Sequence, residues 1–94
     1  MIGKTTVGAT STLALDENRR RQRIILCNNS DEDMYISPGA AAVMTEGIPI
    51  KAQGGVYEDQ PDPAGYMYRG TYTAICASGG KVLSIVELNK DGFN

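Results

Sequence analysis

Residues 19–39, RRRQRIILCNNSDEDMYISPG, decide how the chain is read. Arginines at 19, 20, 21 and 23 lead into Ile24-Ile25-Leu26-Cys27, a short run of apolar side chains. The run ends at Asn28, a polar segment follows, and Met34-Tyr35-Ile36-Ser37 turns apolar again before Pro38-Gly39. Short runs rich in branched and aromatic residues, bounded by Asn, Asp, Ser, Pro and Gly, read as strands. Asn and Asp tolerate left-handed backbone and cap their own turns. The pattern therefore predicts a hairpin of strands 23–28 and 34–37.

Working toward the C-terminus, the strand signal persists. Ala40 to Met44 favours helix by propensity, but it is too short and lies between Pro38-Gly39 and Gly47, so it reads as irregular chain. Ile48-Pro49-Ile50 reads as an edge strand, because Pro49 cannot donate to a ladder. Gln53-Gly54-Gly55 is a turn, and Val56-Tyr57-Glu58 a short strand. Residues 59–66, DQPDPAGY, form the longest strand-free loop, with Pro61 and Pro63 favouring extended backbone. Residues 67–77 read as a strand bent at Gly70. Ser78-Gly79-Gly80 has hairpin-turn composition. Residues 81–88, KVLSIVEL, are the clearest strand: Leu83, Ile85 and Glu87 share one face with Lys81, while Val82, Ser84, Val86 and Leu88 share the other. Apolar residues on both faces predict a central strand covered on both sides.

The N-terminal stretch is weaker. Residues 1–15 read as an extended arm with a first weak strand near 11–15, residues 16–90 as the β-domain, and residues 91–94 as a short flexible tail. Six to eight short strands at turn spacings of roughly 8–12 residues define an all-β chain, a small antiparallel β-sandwich or barrel. With 94 residues it is one domain. A domain of this size buries roughly 60–65% of its unfolded surface, so oligomerisation or docking onto a larger body is expected on size alone.

Composition excludes several functions. There is no His, so the usual general base and triad partner is missing. Asp31-Glu32-Asp33 lacks the spacing of a calcium loop. No phosphate-binding fingerprint occurs, and no CxxC pair. No cofactor or metal is expected, and the chain reads as non-enzymatic. Cys27 and Cys76 each sit inside an apolar run and read as buried free thiols of a chain made in a reducing cytoplasm, with a disulfide between them left open. The net charge of -2 gives no general attraction to nucleic acid, and no apolar run approaches the ~18 residues of a membrane span.

Two stretches remain as candidate contact surface. Arg19, Arg20, Arg21 and Arg23 either form a solvated lead-in that blocks edge pairing or meet an acidic partner, a phosphate or a neighbouring subunit. Tyr66, Tyr68, Arg69 and Tyr72 flank the Pro-rich loop, and Tyr and Arg are enriched at protein interfaces. The same residues also suit ordinary strand faces.

The landmarks RIILCNNSDEDMYISPG, GIPIKAQGGVYE and YRGTYTAICASGGKVLSIVEL, taken in order, resemble small β-sandwich virion proteins of tailed bacteriophages. These are head decoration (cement) proteins or head-fibre and tail-associated modules. The resemblance spans residues 21–88 and rests on turns and strands. It implies a structural protein of the outer capsid surface that bridges neighbouring capsid subunits. Its implied partners are the major capsid protein and copies of itself, with a trimer favoured, and neither nucleic acid nor membrane. The low hydrophobicity of residues 1–15 suits an arm that orders on a neighbour or on the shell. A head-fibre or tail adaptor, and a lectin-like module using residues 66–72, are the alternatives.

Overall fold

The computed structural model describes residues 1–89, 92 and 93. In chain order the strands are β1 (Ile2–Val7), β2 (Thr12–Leu15), β3 (Arg21–Asn28), β4 (Met34–Pro38), β5 (Ile48–Ile50), β6 (Gly55–Asp59), β7 (Tyr72–Cys76), β8 (Lys81–Asn89) and the two-residue β9 (Gly92–Phe93). They form two antiparallel sheets packed together, so the all-β sandwich read from the sequence is the fold. One sheet runs β1-β8-β3-β6, with β9 pairing the end of β8; the other runs β2-β7-β4-β5.

Period-two alternation builds the core. Ile24 and Leu26 of β3, Leu83 and Ile85 of β8, Met34 and Ile36 of β4, and Tyr72, Ala74 and Cys76 of β7 all point between the sheets and are buried. β5 is an edge strand, as Pro49 requires, pairing only β4. Ala40 to Met44 is irregular. β8 is central, flanked by β1 and β3, but among the described residues only its inward face is covered by the opposite sheet: Val82 on the outer face is 42% exposed.

Both expected hairpins are corrected. β3 and β4 lie in different sheets, and so do β7 and β8. Asn28 explains the first crossing. It is wholly buried at the inward end of β3; its Oδ1 accepts from Ser30 N and Oγ (3.0 and 2.6 Å), and its Nδ2 donates to Glu32 O (2.7 Å) and to Ile50 O (2.9 Å) in the opposite sheet. The side chain turns the chain across the sandwich instead of back along its own sheet. At the second crossing Cys76 N donates to Gly8 O (3.1 Å), which ties the end of β7 to the segment after β1. Gly79 there has φ +77°, and a Cβ would lie 2.9 Å from Ala9 N, so a side chain is excluded on both counts.

The N-terminal segment is also corrected. Residues 2–7 are not an arm: they form β1, paired with β8 from Ile2↔Val86 to Val7↔Lys81, and Val7 is fully buried. Pairing with a central strand, not apolar content, holds the segment. The strand expected over 67–77 begins only at Tyr72. Of the expected tail at 91–94, the Gly92–Phe93 backbone pairs with β8 and the remainder lies outside the described residues.

Candidate functional site

The two candidate stretches, distant in sequence, meet at one end of the sandwich. Residues 16–20 join β2 to β3, and loop 60–71 joins β6 to β7. Asn18 N donates to Arg69 O (2.9 Å), and Arg69 Nε donates to Arg21 O (2.8 Å).

Arg21 is the pivot, and it is not a surface residue. A β-bulge between Arg21 and Arg23 inserts one residue into β3 and turns Arg21 inward, where it is 0% exposed. Nε donates to Glu87 Oε2 (2.9 Å), Nη1 to Tyr68 O (3.2 Å) and Gly70 O (3.0 Å), and Nη2 to Asp16 O (2.8 Å). Its Cζ lies 5.6 Å from the Tyr72 ring centroid, a cation–π contact. One guanidinium thus ties β3, β8, the 16–20 turn and loop 60–71 together. The candidate contact role of Arg21 is therefore corrected to an internal brace: a buried cation must be paired and hydrogen-bonded, and these partners meet that need.

Tyr72 is corrected in the same way. It is fully buried, with its ring edge-on to Tyr68 (5.3 Å between centroids) and tilted against Tyr57 (6.1 Å). Burial, then the neighbouring Tyr57 hydroxyl, raises its phenol well above the ordinary tyrosine value. Tyr72 Oη is buried without a hydrogen-bond partner.

The remaining candidates reach solvent. Tyr66 is 77% and Tyr68 38% exposed. Tyr66 sits at the tip of a turn organised by Asp62: Oδ1 accepts from Ala64 N and Tyr66 N (both 2.9 Å), and Asp62 O accepts from Gly65 N (2.8 Å). The Tyr68 ring lies against Gly70, which has no side chain to clash with it, and Tyr68 Oη donates to Thr71 O (3.0 Å). The Arg19 side chain is 90% exposed, 3.9 Å from Glu17; Arg20 is exposed, with its N–H bonded to Asn18 Oδ1. Arg23 lies apart, on the outer face of the β1-β8-β3-β6 sheet, paired with Glu58. Both cysteines are free; Cys76 is buried as expected, but Cys27 points outward and is half-buried, because it alternates with the inward Leu26 and Asn28.

Sequence reasoning missed Glu87 and Asn28. Glu87 shares the β8 face of Leu83 and Ile85, and an acid on a core face demands a cation. That was the readable signal for Arg21.

A cleft of about 440 Å³ opens between edge strands β1 and β2, over Ile85, Ala14 and Leu15, with Asn18, Asn89 and Glu87 at its polar wall. Gly3 faces it with no atom within 4 Å of a Cβ position. Among the described residues, no three His, Cys, Asp or Glu side chains gather at metal-binding distances. No protein-family model, curated protein or solved structure matches the chain. Fold and site together define a small two-sheet β-sandwich with an internally braced, tyrosine-bearing end.

Proposed function

We propose that the chain is a non-enzymatic structural module of a tailed-phage virion that adds to the outer capsid surface and bridges neighbouring subunits, docking through loop 60–71. The observation that carries this reading is Tyr66: a large aromatic, 77% exposed, on a turn already ordered by Asp62 and anchored through the Arg21 contacts to Tyr68 and Gly70. A pre-ordered loop loses little conformational freedom on docking, so more of its contact energy appears as affinity. Tyr and Arg are the side chains that dominate interface energetics, and Arg19 stands at the same end. A repeated lattice presents many equivalent sites, so each contact can be modest. The virion setting itself rests on the sequence resemblance.

The test is co-expression with the major capsid protein of the same genome, followed by sedimentation of the shells. The expected result is co-sedimentation at a fixed fraction of capsid copies, with Tyr66→Ala weakening it by about 2 kcal/mol, roughly 30-fold. Failure to sediment with shells, together with saturable sugar binding on a glycan array that Tyr66→Ala abolishes, would assign the loop to the lectin-like alternative.

A further inference from the structure

The two outer faces of the sandwich differ. On the β2-β7-β4-β5 sheet, the β4–β5 connection folds back over the outside: Ala42 is 6% exposed and its N bonds Ser11 Oγ (2.8 Å), while Thr73 Oγ1 bonds Ala40 O (2.6 Å). Ile75, which points outward on the same sheet, is only 7% exposed. No described segment covers the other sheet in this way. Its outer face carries two central cross-strand rows, Ile2-Val86-Ile25-Glu58 and Lys4-Ser84-Cys27-Val56, with Val82 and Leu88 beyond them on β8. Ile2 is 70% exposed, Val56 58% and Val82 42%.

We propose that this face is a self-association surface, and that two copies pack there face to face about a two-fold axis running along the strands between β8 and β3. The charges select the occupant and the axis. Lys4, on edge strand β1, has no ion-pair partner among the described residues, whereas Glu58, whose Oε2 pairs with Arg23 of the same copy, lies one row away on the opposite edge, β6. An axis along the strands lays one copy's β1 over the other's β6, so each Lys4 joins the Arg23–Glu58 pair of the second copy at the Glu58 carboxylate, twice by symmetry. An axis across the strands would lay β1 over β1 and β6 over β6, bringing like charges together. With the first axis, Val86 faces Ile25 of the second copy at the centre. At ~3.3 Å per residue and ~4.8 Å between strands, the face covers roughly 450 Å² per copy, about 900 Å² for the pair. That is near the ~1,000 Å² of a weak, reversible interface. An isologous contact of this kind closes at two copies, unlike the trimer the resemblance implies. The inference rests on the face alone and is independent of the virion reading, which uses the Tyr66 loop.

The test is sedimentation of the purified chain from ~10 µM to ~1 mM, with a short thiol–thiol cross-linker as a second readout. Two Cys27 side chains, one per copy, would face the ~10 Å gap between the packed sheets close to the axis. The expected result is a monomer–dimer equilibrium, a cross-linked dimer lost in Cys27→Ser, and no dimer in Val86→Lys or Val82→Lys at unchanged circular dichroism. Lys4→Glu and Glu58→Lys should each weaken the dimer about threefold, and the double exchange should restore it. A monomer throughout, a trimer, or a dimer that survives both lysine substitutions would overturn the proposal. So would capsid-shell binding that Val86→Lys abolishes while the mass in solution stays unaltered, since the face would then belong to the shell.

Discussion

At the scale of the residue, Arg21 carries the most consequence. The Arg21–Glu87 pair has side chains 0% and 7% exposed. Removing one partner of a buried pair leaves an uncompensated charge and typically costs about 3–5 kcal/mol, a large share of the ~5–15 kcal/mol that holds a domain. Arg21→Ala is therefore expected to lose that much in urea denaturation. It should also loosen loop 60–71, because Tyr68 O and Gly70 O lose their donor. An apolar exchange of both partners, Arg21→Met with Glu87→Leu, should restore most of the stability but not the loop order, since the pair itself is nearly replaceable whereas the carbonyl contacts are not. Limited proteolysis within 60–71 separates the two effects. Tyr72 makes the converse case. Its hydroxyl is buried without a partner, so Tyr72→Phe should be neutral or stabilising, in contrast to a cost of about 3–5 kcal/mol for Tyr72→Ala. The raised phenol adds a spectroscopic check: ultraviolet titration should show one tyrosine ionising late, and that step should vanish in Tyr72→Phe. Because its folded value lies above the unfolded one, the associated stability is intact below about pH 10 and is lost as the pH rises beyond.

At the scale of the element, the segment NNSDED works as a clasp. Asp31 pairs with Lys81 (2.8 Å) at the start of β8, Glu32 Oε1 accepts from Ser78 N (3.0 Å) in the β7–β8 crossing, and Asp33 Oδ1 accepts from Ala52 N (2.8 Å) in the β5–β6 crossing. One crossing therefore holds two others. All three carboxyls are lowered below their ordinary values: Asp31 by the Lys81 hydrogen bond and charge, Glu32 by hydrogen bonding to Ser78, and Asp33 by the Ala52 N–H. Depressed acids stabilise the fold above the unfolded carboxylate range, about pH 4, and that contribution disappears as the pH falls through their folded values. Thermal melts across the acid range should show a steep loss below about pH 4. Asp31→Asn, Glu32→Gln and Asp33→Asn together should flatten it, and an unchanged acid limb would assign the loss to other groups. Strand identity was legible in the sequence because alternation survives in β3, β4, β7 and β8. Sheet membership was not. A polar turn between two apolar runs looks the same whether the chain doubles back or crosses, and the difference lies in Asn28 reaching Ile50 O, a contact 22 residues away. The same limit hid the site. Counting outward from Ile24 by twos puts Arg21 in solvent; the bulge adds one residue and reverses it.

At the scale of the whole molecule, residues 1–15 form two edge strands, one for each sheet, so their removal tests how the sandwich is held. β1 covers one side of β8 and contributes Val7; β2 covers one side of β7 and contributes Ala14 and Leu15, all buried. Fully burying a side chain such as Val or Leu is worth about 1.5–3 kcal/mol, and each ladder hydrogen bond adds about 0.5–1.5 kcal/mol net. Losing both strands would remove an amount comparable with the whole ~5–15 kcal/mol that a domain typically has to spare. It would also open the cores of both sheets along the same side. Deletion of 1–15 is thus expected to leave a chain without a cooperative melt, whereas Leu15→Ala alone should cost about 2–5 kcal/mol and keep the fold. A truncated chain with a native-like cooperative transition would return the segment to the status of a dispensable arm. The distinction matters for any assembly experiment. Loss of shell occupancy on deleting 1–15 would report unfolding before it reported a missing contact, so the deletion must be read beside Tyr66→Ala, which leaves every buried side chain in place.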